Sequence, residues 1–235
     1  MSSLRYFRTS PSADNGYPTS DGRPMAETDH HRKVMTYLIE VLMAWYAARP
    51  DVYVTGNLLF FYERKNRRKH VSPDCFVAFG VPNHDRLNYL LFDEGVGPAV
   101  VVEVTSATTQ REDVETKFAL YRDVLQVPEY LQFDPYREYL DPPLQGHRLV
   151  GTEYVRIEPT ADGHIVSEQL GLHFRREGAW LRLWNPATKL DLKTNEMRAR
   201  EALEHAAAEE RRADTAEAEI AQLKAELDRL RGSGS

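Results

Sequence analysis

Two stretches of β-forming residues each carry one carboxylate. Ser72-Pro73-Asp74-Cys75-Phe76-Val77-Ala78-Phe79 delivers Asp74, and Pro98-Ala99-Val100-Val101-Val102-Glu103-Val104-Thr105 delivers Glu103. A lone acid among apolar neighbours costs free energy on burial unless a partner or a function compensates. A lysine, Lys117, follows on the next predicted helix. Two carboxylates from different strands with an ammonium nearby suit a divalent cation, Mg2+ or Mn2+, which takes a few carboxylates plus water and phosphate oxygens. Such an ion polarises a phosphoryl oxygen and acidifies a bound water, and a cation beside it stabilises developing negative charge. This is the chemistry of phosphodiester hydrolysis, although Asp and Glu on neighbouring strands can also be structural.

The surrounding elements must position these groups. The segment Thr28–Ala48 reads as a helix with Thr28 as N-cap and Asp29 in the first turn. Val34, Leu38, Val41, Leu42 and Trp45 form its apolar face. His30 and His31 read as exposed first-turn histidines, and Glu27, just before the helix, is a supporting candidate. Val52–Glu63 reads as one strand bent at Gly56. The most basic run of the chain follows, Arg64 to His70. It is either a solvated hairpin connection or a phosphate-binding edge that leads into Asp74, with Lys65, Arg67, Arg68 and Lys69 as contacts.

Alternation places Asp74, Phe76 and Ala78 on one face of their strand and Cys75, Val77 and Phe79 on the other. Cys75 is then a small core residue. The strand Ala99–Thr105 is apolar but for Glu103, as expected in mid-sheet with both faces covered. Thr109–Leu125 reads as a helix, with capping-box spacing at Thr109 and Glu112. Val114, Phe118, Tyr121 and Leu125 form its core stripe, and Asp113 and Lys117 stand at i and i+4. That pair is either a surface ion pair or a device that sends Lys117 back towards Glu103. Glu129–Asp134 is a further strand, with Asp134 as a turn former, and short strands run to residue 186. Arg175–Gly178 joins two of them as a hairpin. From Asn195 to Arg231, Ala199, Ala202, Ala206, Ala213, Ala216, Ile220, Leu223, Leu227 and Leu230 recur at heptad spacing, with Glu209 as the polar seam position, which predicts a coiled coil.

The chain has 235 residues, enough for one ordinary domain plus appendages. Its net charge of −6 excludes a uniformly basic nucleic-acid coat, so phosphate contacts must be local. One cysteine permits no intrachain disulfide, in keeping with a reducing compartment. No apolar run approaches roughly 18 residues, so no spanning helix is expected. The Ser- and Pro-rich start lacks a signal-peptide apolar region, and a cytoplasmic location is expected.

The ordered set Ser20–Asp29 (SDGRPMAETD), Ser72–Val77 (SPDCFV), Val101–Thr109 (VVEVTSATT), Asp113–Tyr121 (DVETKFALY) and Val127–Pro135 (VPEYLQFDP) resembles the Uma-type restriction endonuclease family, within the PD-(D/E)XK nuclease superfamily. The resemblance extends, more loosely, to about residue 190. It implies an α/β (α+β) fold, a restriction-endonuclease-like mixed sheet flanked by helices, with Mg2+-dependent DNA cleavage. It makes Asp74 and Glu103 metal ligands, with Lys117 as the catalytic cation. The position two after Glu103, where the wider superfamily carries a lysine, is Thr105. Glu27, Thr105, Asp113 and Tyr121 are supporting candidates. The expected organisation is a disordered segment over 1–22, a nuclease-like domain over 23–190, and a coiled-coil helix over 195–231 acting outside the resemblance as a device for a homodimer or higher oligomer. The competing expectation is a catalytically inactive binding or assembly module that works through its coiled coil.

Overall fold

Thr28 caps the first helix as its sequence suggests: its Oγ1 accepts the His31 amide at 3.1 Å. In the computed structural model, which describes residues 15–20, 22, 28–105 and 112–232, this helix, α1, spans Asp29–Trp45. Val34, Leu38, Val41 and Leu42 are at most 1% exposed. Trp45 is not part of that face; it is 39% exposed, and Tyr46 at the C-cap is buried in its stead, edge-on to Phe79 at 5.7 Å.

The chain continues through β1 (Val52–Thr55), β2 (Phe60–Phe61), β3 (His70–Val71), β4 (Cys75–Phe79), β5 (Tyr89–Leu90), the short helix α2 (Leu91–Glu94) and β6 (Val100–Val104). A helix with wide, π-type turns follows in two pieces, Glu112–Lys117 and Leu120–Val124. The capping-box pair and the start of this helix, and the side chains of Glu112, Asp113 and Val114, lie outside the described residues. Then come β7 (Glu129–Phe133), β8 (Leu144–Val150), β9 (Glu153–Arg156), β10 (Ile165–Ser167), β11 (Leu172–Glu177), β12 (Trp180–Asn185), β13 (Leu190–Asp191) and the long helix α3 (Asn195–Gly232).

The main sheet has the order β1-β4-β6-β7-β8-β9 and is mixed: β6 and β7 are parallel, and every other pair is antiparallel. A parallel pair needs a crossover, and the wide-turn helix supplies it. The short strands after residue 136 divide, β8 and β9 extending this sheet while β10-β11-β12-β13 form a separate antiparallel sheet.

The single strand expected over Val52–Glu63 is two strands in two sheets, since β2 pairs with β3 and β5. The chain breaks where Asn57 takes a left-handed φ of 51° and donates its amide to Pro73 O at 2.8 Å. The backbone thereby leaves β1 and crosses close to the residues that introduce β4.

One face of the main sheet carries the core cluster of Tyr53, Phe76, Val101, Tyr121 and Tyr130, joined by Phe60 and Tyr89, which stack at 4.8 Å. Alternation puts Asp74 and Glu103 on this face, two residues from Phe76 and Val101 respectively. The chain divides into two compact units, Met1–Leu192 and Lys193–Ser235. Among the described residues no helix is long and apolar enough to cross a membrane.

Candidate active site

The ladder between β4 and β6 pairs Cys75 with Val102 and Phe76 with Val101. Continued by one residue, it sets Asp74 opposite Glu103. Asp74 itself stands just outside β4, and its carboxylate replaces the missing ladder bond: Oδ2 accepts the Val104 amide at 2.7 Å. The same oxygen lies 3.3 Å from His31 Nε2. Both residues are buried, Asp74 at 8% and His31 at 6% exposure. Burial pushes the Asp74 carboxyl upward, but the His31 hydrogen bond, the Lys117 and His31 charges and the Val104 amide together hold it below the ordinary carboxylate range.

Glu103 is fully buried. Oε2 accepts from Lys117 Nζ at 2.9 Å, and Oε1 accepts from the Tyr121 hydroxyl at 2.6 Å. Lys117 and Tyr121 are four residues apart on the wide-turn helix, so they present to one side and reach one carboxylate. Burial, then the neighbouring Glu103 charge, pushes the Tyr121 phenol well above its usual value, which keeps it a neutral donor. Burial and the Asp74 and Glu103 charges push the Cys75 thiol up as well, so Cys75 is an inert core residue as expected.

The remaining sequence candidates separate. Thr105 is buried, and its hydroxyl donates to Phe133 O at 3.1 Å, tying β6 to β7. Glu27 and the Asp113 side chain lie outside the described residues. Lys65, Arg67, Arg68 and Lys69 are exposed on the connection between β2 and β3. This connection is a hairpin, tied down by the Lys65 amide on the Tyr17 hydroxyl at 2.7 Å and by the Arg68 amide on Asn66 Oδ1 at 3.2 Å. Lys69 lines an open cleft with Tyr62, Leu120, Asp123 and Val124, beside the helix that carries Lys117.

Two residues were not legible as site residues. His31, expected to be exposed, is buried against Asp74, while its neighbour His30 turns to Ala179 O at 2.7 Å. Adjacent helical positions point apart, so one histidine can serve the site and the other the β11–β12 hairpin. Gln132, the register partner of Glu103 on β7, is 2% exposed. A polar residue at an inward position of a central strand is the signal that marks it.

The family described as "Uma2: Putative restriction endonuclease" matches residues 7–183. The chain belongs to the Uma2 family. That match contains every stretch that suggested the family and ends ahead of α3. Among solved structures, the crystal structure of a putative nuclease belonging to DUF820 from Anabaena variabilis ATCC 29413 is similar at 14% identity and a TM-score of 0.46, covering 64% of this chain and 80% of that one. No curated protein matches the chain. The mixed sheet flanked by helices is the architecture expected for a Uma2 protein.

Among the described residues no group of three His, Cys, Asp or Glu side chains is gathered tightly enough to hold a metal ion by itself. Asp74 and Glu103 offer hard carboxylate oxygens on adjacent strands. This donor set fits Mg2+ or Mn2+, which complete their coordination with water and phosphate oxygens.

Proposed function

We propose that this protein is a metal-dependent endonuclease that hydrolyses DNA phosphodiester bonds. The reading is supported by the family's description and is carried by one observation. Two buried acids stand on neighbouring strand positions, Asp74 at the start of β4 and Glu103 on β6, with the Lys117 ammonium 2.9 Å from Glu103 Oε2. Asp74 and Glu103 are the residues that hold Mg2+ or Mn2+. The ion supplies Lewis-acid stabilisation of the phosphoryl group and a more acidic water.

The chain's own residues perform the rest. Val104 and His31 fix the Asp74 carboxylate from one side, and Tyr121 fixes Glu103 through Oε1. Lys117, drawn in by Glu103, holds positive charge where the transferring phosphoryl group gains negative charge. The exposed Lys65, Arg67, Arg68 and Lys69 contribute phosphate contacts along the DNA backbone, and such contacts position the duplex without reading its sequence. Their contribution falls steeply with salt.

Plasmid cleavage tests the reading. Wild type is expected to cut in Mg2+ or Mn2+, and Asp74→Ala, Glu103→Ala and Lys117→Ala each to lower the rate by about 10²-fold or more, the scale of losing an electrostatic contact made in the transition state. Equal cutting by all four proteins rejects it.

A second reading has a specific observation in its favour. Glu103 is bonded by both Lys117 and Tyr121, the pattern of a buried carboxylate with a structural role. An inactive nuclease fold that binds or assembles through its tail would look the same. Binding of DNA by folded wild type with no turnover in either metal selects this second reading.

A further inference from the structure

The helix α3 spans Asn195–Gly232, 38 residues, and its larger apolar side chains stand in solvent: Ile220 is 51% and Leu223 64% exposed. A helix this long with an exposed aliphatic stripe calls for a partner, and the sequence says which one. Assigning Ile220 to position a puts Ala199, Ala206, Ala213, Ile220 and Leu227 at a, and Ala202, Glu209, Ala216, Leu223 and Leu230 at d, without a skip. A β-branched residue at a with leucine at d favours two strands. Alanine through the first half keeps two helices close.

The flanking charges decide orientation. In a parallel, in-register pair each g residue meets the e residue five positions later on the other helix. The chain places Arg212 at g against Glu217 at e, Glu219 against Lys224, and Glu226 against Arg231. Each pair is attractive in register, whereas sliding by one heptad sets Arg212 against Lys224 and Glu219 against Glu217. An antiparallel pair that keeps Ile220 against Leu223 of the second copy retains the attractive pairs Glu217–Lys224 and Glu210–Arg231 but sets Glu219 against Glu226 twice, whereas the parallel in-register pair has no like-charge contact among these positions. The one polar seam residue, Glu209, is held by Arg212 of its own helix at 2.7 Å. A polar seam residue penalises shifted registers in which it meets an aliphatic residue.

We propose that α3 pairs with the α3 of a second copy as a parallel, in-register, two-stranded coiled coil. Parallel pairing attaches both copies of the Met1–Leu192 unit at the same end of the coil. If the nuclease reading above is right, two hydrolytic centres then travel together and can nick both strands of one duplex. The dimer itself stands apart from that reading.

The test uses the full chain. Wild type is expected to sediment as a dimer. An acidic variant, Arg212→Glu with Lys224→Glu, and a basic variant, Glu217→Lys with Glu219→Lys, each set like charges across every altered pair. Each is expected to weaken self-association by on the order of tenfold or more, since tenfold corresponds to only 1.4 kcal/mol. Mixed together, the two variants are expected to form a heterodimer as tight as wild type, which a merely unfolded helix cannot do. Ala216→Cys at d is expected to form a disulfide with itself under oxidation. Cys75 is buried and does not compete. In the antiparallel arrangement residue 216 meets Leu227, and no such bond forms. A monomeric wild type, a dimer indifferent to the charge changes, or a dimer without the 216–216 bond overturns the proposal. A cross-linked dimer that cuts no DNA leaves the coil intact and rejects the nuclease reading alone. Under both proposals the acidic variant still nicks supercoiled plasmid but linearises it less than wild type.

Discussion

At Glu103 a fully buried carboxylate is shared by two donors from the next helix, the Lys117 ammonium and the Tyr121 hydroxyl. Removing the neutral partner is the sharper probe. Tyr121→Phe keeps the ring in the aromatic core and removes the hydroxyl bond to Oε1, so unfolding by urea should show a loss of about 1.5–3 kcal/mol, the scale of a hydrogen bond to a charged group. His31 stands against the other acid, with Nε2 3.3 Å from Asp74 Oδ2. If Asp74 holds a metal, His31→Ala should weaken Mn2+ binding, read by calorimetry, by about tenfold, the lower end of the range for residues that orient a ligand. His31→Gln, which can still donate to Oδ2, should recover part of it. A His31→Ala protein that binds Mn2+ as wild type does would remove His31 from the site.

At the scale of elements, the site depends on a backbone crossing. A Cβ added to Gly56 would stand 1.9 Å from the Asp74 carbonyl oxygen, a backbone atom that cannot swing aside. Gly56 is therefore required where the chain leaves β1 and passes the start of β4. Gly56→Ala should cost at least about 1–3 kcal/mol, the scale of overpacking, and it should also disturb Asp74; a variant with unchanged stability contradicts the crossing. The wide-turn helix is the second positioning element. It joins the parallel strands β6 and β7 and sends Lys117 and Tyr121 to the same carboxylate. Asp134, just past the end of β7, fixes the turn that leads towards β8: its carboxylate accepts the amides of Tyr136, Tyr139 and Leu140 at 3.2, 2.9 and 3.1 Å. The turn role read from its place before Pro135 is thus met, with more bonds than an exposed turn needs.

For the molecule as a whole, acid is the informative perturbation. His147 packs edge-on to Phe118 at 5.0 Å, and burial, with the Arg156 charge, lowers its pKa from 6.5 to about 4. The unfolded chain therefore takes up a proton between pH 6.5 and about 4 that the folded chain refuses, and stability falls as pH falls through that window. The expected loss is on the order of 1–3 kcal/mol, and His147→Phe should abolish that part of it in pH-dependent denaturation. Asp74 acts lower on the scale. Its folded pKa is depressed, so its contribution is complete above the unfolded carboxylate value and disappears only as pH drops through the depressed one.

Local rules were enough for much of this protein. The period of two over Val71–Phe79 assigned Asp74 to a face, and the apolar run around Glu103 marked a mid-sheet strand, because both patterns are properties of the strand itself. Cap chemistry located the start of α1, and helical spacing over the tail marked the long helix seen as α3. Compound motifs in order identified the family. Other features came from the tertiary structure alone. His31 looked like any first-turn histidine until α1 was laid against Asp74, and Gln132 gained meaning only as the register neighbour of Glu103. The continuous strand read over Val52–Glu63 divided because Gly56 and Asn57 are claimed by Asp74 and Pro73, residues far along the chain. Periodicity reports what a segment prefers by itself; which segments meet, and so which buried charges find partners, depends on contacts between residues distant in sequence, and those are settled only when the sheets and helices pack.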